Sequence, residues 1–221
     1  MRGISISFPG VKALDGVDFT LYPGEVHSLM GENGAGKSTL IKALTGVYGI
    51  DSGTIRVQGE ERLFRSTADA QASGIATVYQ EVNLCQNLSV GENVMLGNEI
   101  RRAGMVDWRA THAAAAKALA ELGLNIDTRS ILASHSIAVQ QLVAISRAMV
   151  VDTTVLVLDE PTSSLDRGEV EQLFGVIRDL RDRGVAILFV SHFLDQIYEI
   201  SDRLTVLRTG TLVGEYPIAE P

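Results

Sequence analysis

The stretch Gly31-Glu32-Asn33-Gly34-Ala35-Gly36-Lys37-Ser38-Thr39 has the form G-x-x-x-x-G-K-[ST], and that spacing dictates the fold around it. Glycines let the backbone turn tightly and bring successive N–H groups to a phosphate with no Cβ in the way. The helix that follows adds the positive end of its dipole. In such a loop Gly31, Asn33, Gly34, Ala35, Gly36, Lys37, Ser38 and Thr39 form the cradle of a nucleotide's phosphates. Lys37 reaches the β- and γ-phosphates and the Ser38 hydroxyl ligates Mg²⁺. The flanking residues supply the required context: Glu25–Met30 reads as a strand feeding straight into the loop, and Lys37–Leu44 as a helix stopped by Gly46.

The rest of the chain alternates in the same way. Val17–Tyr22 reads as a strand, separated from Glu25–Met30 by the turn pair Pro23-Gly24. Thr54–Gln58 and Ile75–Tyr79 read as short strands, and the alanine-rich Trp108–Leu122 as a helix ended by Gly123. Val139–Met149 carries Leu142, Val143, Ile145 and Met149 at near-helical spacing, followed by a buried-strand run, Val155–Leu158. Gly168–Arg181 reads as a helix with one charged face, Val185–Val190 as another buried strand and Phe193–Ile200 as a short helix. Arg56–Ser66 and Asn98–Asp107 read as exposed polar connections. Strands alternating with helices imply an α/β fold with a parallel sheet, whose ligands bind beyond the carboxyl ends of the strands.

With 221 residues and 46% hydrophobic content, the chain can bury a large core without staples. Its single cysteine, Cys85, rules out an internal disulfide and fits a reducing compartment; the residue reads as a small buried apolar group. A formal charge of −8, with no visible cluster of Lys and Arg, argues against a nucleic-acid partner. No apolar run of about eighteen residues appears, and the opening residues lack the apolar core of a signal peptide. By itself the chain reads as soluble.

A second constellation lies at the carboxyl end of Val155–Leu158. There Asp159 is placed to hold Mg²⁺ on the β/γ-phosphates. Glu160 is placed as a general base or water-orienting group for attack on the γ-phosphate. Two adjacent acids alone read equally well as a solvated strand end. Their neighbours decide: Leu158-Asp159-Glu160-Pro161-Thr162-Ser163-Ser164-Leu165-Asp166 resembles the joined Walker B and D-loop of ATP-binding-cassette (ABC) ATPases, and the resemblance covers essentially the whole chain.

That resemblance implies one ABC ATPase domain over residues 1–221. Its phosphate-loop core and antiparallel β layer would occupy 1–88 and 150–221, and a helical subdomain roughly 89–149. It implies that Phe8 stacks on adenine, that Gln80 touches Mg²⁺ and couples to a membrane subunit, and that His192 contacts the γ-phosphate and aligns the water. Lys37, Gln80, Glu160 and His192 are then the expected catalytic set, and Ser38, Gln80 and Asp159 the metal set. Asp166 matches the D-loop aspartate at the contact between two nucleotide domains. Ser136 sits where the family pattern is L-S-G-G-Q, here His135-Ser136-Ile137-Ala138-Val139. Only the serine is retained, and the Cβ atoms of Ile137 and Ala138 restrict how closely a phosphate can approach.

Within the family the chain is similar to sugar-importer ATPases of the ribose/galactose/xylose class, which carry two cassettes in tandem. Phe8–Asp15, Gly24–His27, Tyr79–Glu81 and the paired Gln140-Gln141 carry that likeness. Thr77–Leu84 and His192–Arg203 look most like galactofuranose-type importers. The expectation is an ATP- and Mg²⁺-dependent ATPase that energises monosaccharide import, peripheral to the cytoplasmic face of the inner membrane. Its implied partners are membrane permease subunits, a periplasmic sugar-binding protein and a second cassette. The end at Pro221 coincides with the end of a first cassette, so an excised first cassette is expected. A non-transport ABC ATPase of DNA repair or ribosomes is the alternative; the short span 81–135 and the acidic charge speak against it. In a regulatory module with little turnover the altered serine segment would fit, whereas Glu160 and His192 would have no use.

Overall fold

The computed structural model describes residues 1–79 and 84–218. In chain order the elements are β1 (Arg2–Phe8), β2 (Val11–Val17), β3 (Val26–Met30), α1 (Lys37–Leu44), β4 (Ser52–Val57), β5 (Glu60–Arg62), α2 (Thr67–Ala72), β6 (Ile75–Val78) and α3 (Val90–Val94). There follow β7 (Arg101–Arg102), β8 (Met105–Val106), α4 (Trp108–Glu121), a 3₁₀ turn (Leu132–Ser134), α5 (Ile137–Met149), β9 (Val155–Asp159), α6 (Arg167–Asp182), β10 (Ala186–Val190), α7 (Leu194–Ile200), β11 (Arg203–Arg208) and β12 (Thr211–Pro217).

Six strands form the central sheet in the order β12-β11-β3-β10-β9-β6, parallel throughout except for the antiparallel edge strand β12. β3, β9 and β10 are near-continuous runs of buried residues, as strands covered on both faces must be. Their side chains alternate between two apolar clusters. Leu156, Leu158, Ile187 and Phe189 pack with α5 and α6, and the same cluster runs on without a break into Val94, Leu119 and Leu132. Leu29, Val157, Leu188 and Val190 pack instead with Leu40 and Ile41 of α1 and with Ile4, Ile6 and Leu14 of the second sheet. That second sheet is antiparallel, in the order β2-β1-β4-β5. Between residues 89 and 149, α3, α4 and α5 pack on one another.

Two expectations are corrected. Val17–Tyr22 is not a strand; the strand is Val11–Val17, paired with β1 across the tight turn Pro9-Gly10, where Phe8 stands opposite Val11. Val17 and Phe19 are buried and so produce an alternating pattern, yet beyond Val17 the backbone joins no ladder: Phe19 exchanges hydrogen bonds with Met1, and the Tyr22 N–H donates to the Glu25 carboxylate. The connections Arg56–Ser66 and Asn98–Asp107 are also more than polar loops. The first contains β5 and buries Phe64, and the second folds into the small β7–β8 hairpin.

Phe174 of α6 and Phe189 of β10 are fully buried and meet edge-on at 5.9 Å between ring centroids, fixing the helix against the sheet. Phe189→Ala is expected to lower the unfolding free energy by about 3–5 kcal/mol, read from the midpoint of a urea titration. A change under about 1 kcal/mol would contradict this account of the core.

Candidate nucleotide site

The loop after β3 reaches α1 through two glycines in the left-handed region, Gly34 at φ +83° and Gly36 at φ +105°. A Cβ at Gly36 would meet the Ala13 carbonyl oxygen at 2.9 Å, so glycine is required there for space as well as conformation. Gly36 also starts the helix without any side-chain cap. α2, α3, α4, α5 and α6, by contrast, are capped by Ser66, Ser89, Asp107, Ser136 and Asp166 respectively. The first-turn N–H groups of α1 are therefore left for an external anion. Lys37 Nζ donates to the Gly31 carbonyl at 2.6 Å and to the Glu32 carbonyl at 3.2 Å, folding over its own loop.

Asn33–Thr39 line a cavity of about 300 Å³ together with Asp159 and Glu160. Sheet register puts them there. Val190 pairs with Leu29 of β3 on one side and with Asp159 of β9 on the other, so the residues following all three strands emerge at one edge. Burial and the adjacent Glu160 carboxylate push the Asp159 carboxyl above the usual range, against the opposing pull of Lys37 and Lys42.

Glu160 has φ +49°, a left-handed conformation costing on the order of 1–3 kcal/mol in a non-glycine residue. Its N–H nevertheless continues the ladder, donating to the Val190 carbonyl at 2.9 Å. Its Oε1 lies 3.4 Å from Nδ1 of His192, an exposed ring tilted at 39° against Phe193 with the centroids 4.0 Å apart. Asp159, Glu160, His192 and the loop 31–39 are thus brought to one edge of the sheet.

Other expected residues lie elsewhere. Phe8 packs edge-on against Tyr48 at 5.2 Å, in the β1–β2 hairpin whose Lys12 and Ala13 do line the cavity. Ser136 accepts the Val139 N–H at 3.4 Å as the cap of α5, and Asp166 exchanges two hydrogen bonds with Glu169 as the cap of α6; neither lines the cavity. Gln80 falls outside the described residues. Six cavity residues were missed by sequence reading: Val11, Lys12 and Ala13 of the β1–β2 hairpin, Val190 at the end of β10, and Thr209 and Gly210 in the β11–β12 turn. Gly210 N–H donates to the Ala35 carbonyl at 3.0 Å, and its own carbonyl accepts Asp15 N–H at 2.8 Å. A Thr-Gly turn was visible in the sequence. Its position beside the loop follows only from β11 pairing with β3.

Chemically, the arrangement asks for an anion at the start of α1 and a cation between Ser38 and Asp159. Among the described residues, no three His, Cys, Asp or Glu side chains gather as a self-sufficient metal site would need. Hydroxyl and carboxylate oxygens with phosphate as the remaining ligand suit Mg²⁺.

A family profile described as ABC transporter matches residues 14–163. The chain is 68% identical over 97% of its length to a fructose import ATP-binding protein of Bifidobacterium longum, 55% identical over 96% to a galactofuranose transporter ATP-binding protein of Escherichia coli, and 51% identical over 97% to a ribose import ATP-binding protein of Rubrobacter xylanophilus. It spans only 42–43% of the length of these relatives. The crystal structure of a nucleotide-free ATP-binding cassette from an ABC transporter superposes with a TM-score of 0.86 at 26% identity, covering 99% of this chain and 90% of that one.

The raised Asp159 carboxyl has a consequence for stability. A group whose folded value lies above its unfolded value contributes stability below the unfolded value and loses it as pH rises through the folded value. In EDTA and without nucleotide, Asp159→Asn is therefore expected to melt at a higher temperature than the parent at pH 7, the gap closing as pH falls toward 3.8, the usual aspartate value. An Asn variant that melts lower at neutral pH would refute this reading of the carboxyl.

Proposed function

The chain belongs to the ABC transporter family, and from that premise we propose that it is the ATP-binding and ATP-hydrolysing cassette of a monosaccharide importer. The observation that carries the proposal is the gathering, at one sheet edge, of an uncapped helix N-terminus with the carboxylates Asp159 and Glu160 and with His192. Relatives named for fructose, galactofuranose and ribose import favour transport over DNA repair or ribosomal work. The fructose relative, at 68% identity, favours fructose above galactofuranose as the sugar type.

In this reading residues 1–221 act as one cassette, with 89–149 as its helical subdomain. The loop 31–39 and the N-terminus of α1 hold the phosphates of ATP, and Lys37 exchanges its loop carbonyls for the β/γ-phosphate oxygens. Ser38 and Asp159 hold Mg²⁺, with Gln80 as a further ligand; the ion neutralises charge on the phosphoryl oxygens. Phe8 and its hairpin face the adenine. Glu160 accepts a proton from the attacking water as the new O–P bond forms and the bond to ADP breaks, and His192 holds that water and the γ-phosphate in line. Ser136 and Asp166, which cap helices away from the cavity, serve the nucleotide and surface of a second cassette. A permease at the cytoplasmic face of the inner membrane and a periplasmic sugar-binding protein complete the importer.

Lys37→Ala is expected to weaken ATP binding at least tenfold by isothermal titration, since a charge-assisted hydrogen bond is lost. Glu160→Gln should bind ATP as tightly as the parent yet release phosphate at least a hundredfold more slowly. Undiminished phosphate release in that variant would remove Glu160 as the base, and unchanged affinity in the alanine variant would remove the loop as the phosphate site.

A further inference from the structure

Glu160 and His192 follow the ends of different strands, and their side chains approach to 3.4 Å. Hydroxyls from their neighbouring residues, however, meet at a third side chain. Thr162, two residues after Glu160, donates its hydroxyl to Oε1 of Gln196 at 2.6 Å. Ser191, immediately before His192, donates its hydroxyl to the same oxygen at 3.4 Å. Both hydroxyl-bearing residues are 3% exposed, so these bonds form away from competing water.

Ser191 Oγ in turn accepts the N–H of Phe193 at 3.1 Å, so the hydroxyl bound to Gln196 brackets His192 on both sides. Gln196 itself stands on a firm platform. The next residue, Ile197, is fully buried and its N–H bonds to the Phe193 carbonyl at 3.1 Å, seating α7 in the core.

We infer that Gln196 is a positioning residue for hydrolysis: its side-chain oxygen ties the segment carrying Glu160 to the segment carrying His192 and so sets the spacing of that pair. The inference rests on the proposed roles of Glu160 and His192 in turnover. Two independent loops otherwise have to be registered within about 0.5 Å for a base and a water-aligning group to act on one water. Glu160 adds a reason for the tie, because its left-handed backbone persists only where its surroundings enforce it. Below, the bond to Val190 does so; above, Thr162 and Gln196 do.

Both recorded bonds use Gln196 as an acceptor, which makes the chemistry specific. A carboxylate in the same place accepts the same two hydroxyls, whereas a leucine of similar shape accepts neither.

The test is steady-state ATP hydrolysis by the full-length natural protein with each substitution. Gln196→Leu is expected to lower kcat about tenfold with the KM for ATP within twofold of the parent and the melting temperature lowered by no more than a few degrees, and Gln196→Glu to restore kcat to within twofold. Thr162→Val removes the other end of the same bond and carries the test if the leucine variant fails to fold. It should match Gln196→Leu, with the double variant no slower than the slower single.

Turnover within twofold of the parent in Gln196→Leu, an equal loss in Gln196→Glu, or losses in the double variant that multiply would each overturn the inference. A dead Glu160→Gln beside a fully active Gln196→Leu sinks the positioning role alone. An active Glu160→Gln removes the catalytic reading and this inference with it.

Discussion

The parallel pairing of β10 with β3 and β9 decides where every chemical group of the site stands, because Val190 lies opposite Leu29 on one side and Asp159 on the other. A one-residue slip would invert the alternation that sends Phe189 into one apolar cluster and Leu188 and Val190 into the other. The register is thus enforced by burial on both faces of the sheet. The site inherits that rigidity: the loop 31–36, Glu160 and His192 leave the sheet within a residue or two of strands that cannot shift. β6 continues the same alignment, with Val78 opposite Leu158.

On that fixed edge the electrostatics are left deliberately incomplete by the fold. Five of the helices carry a side-chain cap, whereas α7 starts at Phe193 without one and α1 begins at a glycine that has none to offer. Lining the same cavity, Asp159 is half-buried beside Glu160 and holds its proton above the usual range. An unsatisfied positive helix end and an undercompensated pair of carboxylates are each unfavourable alone. In the proposed function a phosphate with its counter-cation would relieve both at once, so that nucleotide binding would stabilise this edge.

Much of this was legible in the sequence where the signal is local. Lys37–Leu44 is bounded by the glycines that start and stop it, and Trp108–Glu121 by Asp107 and Gly123, so helix ends came within a residue or two. Buried parallel strands announced themselves as apolar runs. What was not legible depends on pairing at a distance. β1, β11 and β12 carry mixed polar and apolar residues, and their partners lie on other parts of the chain. Thr209 and Gly210 entered the site only through the neighbourhood of β11 and β3. Val17–Tyr22 misled because burial alternates there without a ladder, so the period-2 pattern reported packing and not pairing. Gln196 is a similar case, since one glutamine on a short helix means nothing until Thr162 and Ser191 are seen to converge on it.

The serine segment before α5 is where local structure bears most on the proposed partnership of two cassettes. Ser136 caps α5 through a long 3.4 Å bond, and the first helical residue, Ile137, is 54% exposed while Ala138 is 4% exposed. The exposed surface of this helix end is therefore an isoleucine side chain over backbone N–H groups, with the second non-glycine residue turned inward. A phosphate approaching α5 meets one Cβ and not two, so replacing the glycine pair restricts the approach less than the bare sequence suggests. The hydroxyl of Ser136 accepts the Val139 N–H through an oxygen lone pair, so its own O–H proton is left to donate to a phosphate oxygen, a charge-assisted bond that leaves the cap in place. The helix dipole still favours an anion there. In the proposed pair of cassettes the gripping half of each site is built on α1, which has no side-chain cap, and the completing half on α5, whose capping hydroxyl keeps a proton to donate.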